Sequence, residues 1–153
     1  MAIEAPVSRF RKNNLKIYIV VCAALATWFA YDGYFNKKFI EKHTDEEGNP
    51  DSTLVFNQKA PPFFAGAAVL LGVYLLTIKN KKIIADESEL IISPKEKISY
   101  DSIQKIDKTN FESKGYFILT YEDEQGHQIN RKISDRKYDN LGPILDHLVA
   151  KIS

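Results

Sequence analysis

Residues 17–31 read IYIVVCAALATWFAY and residues 60–78 read APPFFAGAAVLLGVYLLTI. Neither stretch carries a charged side chain, and neither alternates apolar with polar positions as a half-buried strand does. A helix needs about 20 largely apolar residues to cross the hydrocarbon core of a bilayer, with a lower limit near 17. The second stretch meets this unaided. The first meets it when Leu15 and Phe35 are included and Lys16 and Asp32 reach back to the headgroups. An α+β chain is expected, in which a two-helix transmembrane hairpin carries one small soluble domain. The expected divisions are a cytoplasmic tail over 1–14, the hairpin over 15–79 with an extracytoplasmic loop over 36–60, and the soluble domain over 80–153.

The chain has 153 residues, enough for one modest domain beside its anchor. Averaged over the whole chain the hydropathy is that of a soluble protein, which hides the contrast between an apolar first half and a polar second half. A net charge of +1 argues against a nucleic-acid binder, which normally carries a strong basic excess. The single cysteine, Cys22, lies inside the first apolar stretch, so there is no disulfide framework and no redox compartment to infer. Arg9, Arg11, Lys12 and Lys16 would suit the n-region of a signal peptide. Trp28, Phe29 and Tyr31, however, stand where a small-residue cleavage site belongs, which favours an uncleaved span.

Orientation follows from the basic residues near the span ends. Arg9, Arg11, Lys12, Lys16, Lys79, Lys81 and Lys82 lie outside the hairpin, against Lys37, Lys38, Lys42 and Lys59 in its loop. The balance places both termini in the cytoplasm. Tyr18, Trp28, Tyr31, Tyr34, Phe35, Phe63 and Phe64 fall at interfacial depths. The loop contains HTDEEGNPD, too acidic to order itself by burial, and Pro61-Pro62 is read as its end, at the first turn of the second helix. Ala26 with Ala30, and Ala68 with Gly72, have the small-xxx-small spacing that lets helices approach closely.

From residue 81 onward the period changes to two. Short strands are expected around Ile83–Ile84, Leu90–Ile92, Ile98–Tyr100, Ile103–Ile106, Tyr116–Tyr121 and Ile129–Ile133. Polar turns fall at 86–88 and 93–96, and the turn at 122–126 ends on Gly126. Leu141, Ile144, Leu145, Leu148, Val149 and Ile152 then recur at helical spacing. Asp139 or Asn140 is placed to cap that helix, and Pro143 suits its first turn. The apolar stripe is expected to plug the open end of a curved antiparallel sheet.

The strand pair KIIAD and ELII, the phrase ISYDSIQKI over 98–106, the strand YFILTY, the acidic Gly turn and the closing helix together resemble the bacterial pleckstrin-homology-like domains. The whole chain is similar to the small two-span proteins that carry them, YcxB-like in architecture. The resemblance covers about half of the chain and implies a small antiparallel β-barrel or sandwich closed by a C-terminal helix, a fold that serves lipid, peptide and protein binding. It does not by itself give function. Phosphoinositide-binding relatives place basic residues at their first hairpin loop. The loop at 86–89 is acidic instead, which argues against such a ligand.

No pairing of acid, base and nucleophile appears, and an enzyme is not expected. No Cys/His spacing suits zinc and no Gly-rich loop suits phosphates, so neither metal nor cofactor is expected. His147 is read as a solvated helix residue and Asp32 as facing headgroups. Arg131, Lys132, Arg136 and Lys137, with Lys79, Lys81 and Lys82, are the candidates for facing anionic lipid, the alternative being a charged strand edge. Two functions remain open. One is a non-catalytic adaptor at the inner leaflet of a bacterial cytoplasmic membrane, with membrane lipids and a membrane protein or a second copy as partners. The other is an accessory transmembrane subunit of a larger complex.

Overall fold

The structure, a computed structural model, describes residues 2–152 and divides the chain into two units. One comprises residues 77–152 together with residues 2–12; the other comprises residues 13–76.

The first unit holds seven strands: β1 (Ile3–Pro6), β2 (Lys82–Ala85), β3 (Glu89–Ser93), β4 (Glu96–Ser99), β5 (Ile103–Asp107), β6 (Tyr116–Glu122) and β7 (Gln128–Ser134). They form two antiparallel sheets, in the orders β1-β2-β3-β4 and β5-β6-β7. Alternation decides the faces. In β6 the buried residues are Phe117, Leu119 and Tyr121, and in β3 they are Leu90 and Ile92. The expected strand pattern from residue 82 onward is therefore present. The sheets share one apolar core but do not close into a barrel. A single 3-10 turn, Tyr100–Ser102, carries the chain from one sheet to the other. Tyr100 is buried at that corner and donates to the Asp86 carbonyl at 2.7 Å. Burial, with Asp86 and Glu89 nearby, pushes its hydroxyl up to about 12.

The C-terminal helix α5 (Leu141–Ile152; α4 is the short Phe111–Lys114) fills the core with Leu141, Ile144, Leu145 and Leu148. The stripe read from the sequence is the stripe that is buried. His147 is not simply solvated. Its Nε2 lies 3.0 Å from the Asp86 carbonyl and its ring meets Tyr100 edge-on, tying α5 to the β2–β3 turn.

The expected tail over 1–14 needs correction. Ile3, Glu4, Ala5 and Pro6 pair with Ala85, Ile84, Ile83 and Lys82, and Ala5 and Val7 are buried. The acidic loop at 86–89 is thus the second hairpin connection of the sheet. The first connection, β1 to β2, is the entire apolar hairpin, so the acidity of 86–89 does not bear on a ligand at the first hairpin loop.

The second unit is helical. α1 (Arg9–Ala30) continues into a π-helical turn at Tyr31–Phe35, then come α2 (Lys37–Lys42) and α3 (Ser52–Ile78). The apolar segments Arg9–Phe35 and Ser52–Ile78 are each 27 residues long and largely exposed, so both are long and apolar enough to cross a membrane. The loop is shorter and more ordered than its composition suggested. Asp45 accepts from the amides of Glu47 and Asn49. Asp51 caps α3 through the Leu54 amide at 2.8 Å and meets His43 Nδ1 at 2.7 Å. These bonds hold the Asp51 carboxyl below its ordinary range, the Leu54 N–H contributing most.

Because α3 starts at Ser52, Pro61 and Pro62 lie inside it rather than at its first turn. A proline ring leaves the carbonyl four residues earlier without its helical donor. Here those carbonyls belong to Asn57 and Gln58. The Tyr34 hydroxyl donates to Gln58 O at 2.8 Å, and Gln58 Nε2 donates to the Gly33 carbonyl at 3.2 Å. The π-helical turn of one helix thus supplies a donor to one of the two carbonyls at the proline break of the other and accepts one bond in return, the kind of compensation by which such breaks are tolerated in lipid. A Cβ on Gly33 would lie 2.8 Å from Asn57 O, so only glycine permits this approach.

Candidate functional site

The residues singled out from the sequence do not form one patch. Three of the basic side chains are already engaged. Lys82 Nζ lies 2.5 Å from Glu4 Oε1, across the β1–β2 pair. Arg131 lies on the inward face of β7, and its guanidinium donates to Glu96 Oε2 of the other sheet at 2.8 Å. Lys132, on the outer face, sits 3.6 Å above the Tyr116 ring.

Arg136 and Lys137 are placed differently. Their backbone carbonyls accept from Ser8: Ser8 Oγ donates to Arg136 O at 2.6 Å and Ser8 N to Lys137 O at 2.9 Å. Val7 N donates to Lys81 O at 3.0 Å, and Val7 forms a β-bridge with Tyr138. Asp139 N donates to Pro6 O, and the Asp139 carboxylate accepts from Arg9 N at 2.9 Å. Asp139 therefore serves the start of α1, not that of α5 as the sequence suggested. Ser8 Oγ also accepts from Arg11 N, completing an N-cap. Lys81, Arg136 and Lys137 are thereby gathered around the first turn of α1, which itself carries Arg9, Arg11 and Lys12. Lys79 follows directly after the end of α3.

Among the described residues, two clefts of this unit lie near these side chains. One, of about 690 Å³, lies between β4 and the β6–β7 turn, with Glu89, Lys97, Tyr121 and Glu124 among its walls. Glu89 pairs with Lys97 at 3.1 Å. Burial, followed by Glu96, pushes the Tyr121 hydroxyl up, while Arg131 acts against them. In the β6–β7 turn itself Asp123 accepts from the amides of His127 and Gln125, which keeps its carboxyl low. These are hydrogen-bonding walls beside β4, an edge strand of its sheet. The other cleft, of about 650 Å³, lies beside the first turn of α1, between Phe10, Phe111, Lys114 and Arg136. Phe10 is exposed there. Gly115 is required at its wall: it has φ +68°, and a Cβ would strike the Asp135 carboxylate.

In the helical unit, Ala26 and Ala30 line an apolar groove of about 540 Å³ with Pro61, Pro62 and Ala65. Ala68 is half-buried, and a Cβ on Gly72 would meet nothing within 4 Å. The close approach is made by Gly33, which the spacing rule did not select. Asp32 accepts from Trp28 Nε1 and Asn36 Nδ2, both at 2.8 Å. Among the described residues no group of three His, Cys, Asp or Glu side chains is placed to hold a metal ion.

Ser8 and Asp139 carry the joint between β1, α1 and the segment after β7. Ser8 was missed because residues 1–14 were read as a tail; a serine ahead of a helix is the signal that could have found it, whereas its bonds to residues 136 and 137 had no local signal. No family model, curated protein or solved structure matches the chain.

Proposed function

We propose that the protein is a non-catalytic, membrane-anchored interaction module of the bacterial pleckstrin-homology-like kind, resident in a bacterial inner membrane with its β unit at the cytoplasmic leaflet. One observation carries the proposal: two long, exposed, apolar helices are inserted between the neighbouring strands β1 and β2 of one sheet. Both ends of the hairpin therefore enter the same folded unit. If the helices span a bilayer, that unit is held against one face of it. Confinement of this kind raises the effective concentration of the unit toward other membrane proteins. The sheets of four and three strands, with one helix seated in their common core, support the pleckstrin-homology-like assignment. The cleft beside β4 supports a protein or peptide partner, and the Lys and Arg distribution supports the cytoplasmic placement.

The alternative, an accessory subunit whose spans make the main contact, is favoured by Gly72, where the helix surface has open space for a close neighbour. The two are separated by replacing residues 13–76 with an unrelated two-span hairpin and recovering partners from native membranes in mild detergent. Retained partners support the interaction module. Loss of the partners with the β unit still folded favours the accessory subunit.

A further inference from the structure

We infer that the root of the hairpin is a composite binding surface for anionic lipid headgroups, assembled from Arg9, Lys12, Lys79, Lys81, Arg136 and Lys137. The inference rests on the membrane anchoring proposed above and specifies which residues meet the leaflet and which lipids they select.

Four of the six are fixed near the interface by chain position alone, within four residues of an apolar helix end. Arg136 and Lys137 are more than 120 residues from the first turn of α1 in sequence. They reach the same place because Ser8, immediately before α1, is bonded to both of their carbonyls. The fold uses only backbone groups of these two residues, their carbonyls toward Ser8 and their amides toward Ser134, which most residues would supply. Both side chains are exposed, and among the described residues none of the six forms an ion pair. Two acids lie beside them, Asp139, whose carboxylate accepts from Arg9 N–H, and Asp135, whose carboxylate is seated over Gly115; the six basic residues outnumber them. Phe10, exposed on the first turn of α1, adds the aromatic side chain common at such interfaces. Basic residues at an anionic surface attract it additively, and each is worth about a fivefold change in partitioning. Arg131 and Lys132, engaged with Glu96 and Tyr116, lie outside this surface.

The test uses the full chain reconstituted in phosphatidylcholine vesicles that contain a trace of spin-labelled phosphatidylglycerol or spin-labelled phosphatidylcholine. The motionally restricted fraction of each label is read by electron paramagnetic resonance. The glycerol lipid should be restricted preferentially at low salt, and the preference should shrink as salt rises. R136Q/K137Q should lower the preference severalfold, whereas K105Q/K132Q, with the same loss of charge elsewhere, should leave it unchanged. Equal restriction of the two labels, or a preference untouched by R136Q/K137Q, overturns the inference while leaving the hairpin in the membrane. No restricted component with either label overturns the membrane anchoring, and this inference with it.

Discussion

At Ser8 a single hydroxyl serves two elements: it accepts from Arg11 N to start a helix and donates to Arg136 O to hold a distant segment. Ser8→Ala removes both bonds at a fully buried position and should cost about 2 kcal/mol, read as a lower melting temperature of the detergent-solubilised protein. Gly33 is constrained by space. Gly33→Leu would drive a side chain into the Asn57 carbonyl, and hydrogen exchange at the amides of 31–35 should quicken. The turn at 43–51 is constrained by charge. The carboxyls of Asp45 and Asp51 titrate below the ordinary 3.8 because backbone amides hold the ionised forms. A depressed folded value gives stability that is complete above 3.8 and is lost as the pH falls through it. Protection of the Asn49 and Leu54 amides, relative to their intrinsic exchange rates, should therefore hold at pH 6 and fall below pH 3.8. Of these positions only Ser8 and Asp51 had a local signal, each a capping residue ahead of a helix. Gly33 matters because it lies against the Asn57 carbonyl that Pro61 leaves without its helical donor, a relation between residues more than twenty apart.

Among the elements, β2, β3, β6, β7 and α5 were legible because each keeps one period, whereas a register shift breaks the alternation of β5 and Tyr100, expected at the end of a strand, turns out of β4 into a 3-10 turn. β1 was not. It is four residues long, ends in proline, and pairs with a strand that follows it by nearly eighty residues. The start of α3 was misplaced for a related reason: two prolines and an acidic stretch look like a loop, and the donor that Tyr34 brings to the Gln58 carbonyl comes from a distant residue. The candidate basic cluster was likewise scattered by register, since neighbours such as Arg131 and Lys132 face opposite sides of β7. Recognition of β1 changes what should fold alone. Residues 80–152 lack Ala5 and Val7 and leave β2 with an open edge. A chain joining residues 2–7 to residues 81–152 through a short glycine-rich turn should be more stable than residues 80–152 by about 3 kcal/mol, since it restores a buried valine and a strand ladder. Comparison of urea midpoints checks this; equal midpoints would mean that β1 adds nothing. Within the joined chain Leu145→Asp should abolish the cooperative transition, because it sets an unpaired charge in the shared core.

For the whole molecule, topology carries more than any side chain. A strand on each side of the hairpin, paired with each other in one sheet, requires the two ends of the hairpin to lie on the same side of any membrane it crosses. If both helices span, as proposed, the turn at 43–51 is expected across the membrane from both ends of the hairpin. The direct test places single cysteines at Glu46, Ala2 and Gln125 in a Cys22→Ala background and treats intact cells with a membrane-impermeant thiol reagent. E46C should be labelled from outside, and A2C and Q125C should both stay unlabelled until the membrane is permeabilised. Equal labelling of E46C and Q125C on intact cells, or a difference between A2C and Q125C, would contradict the account.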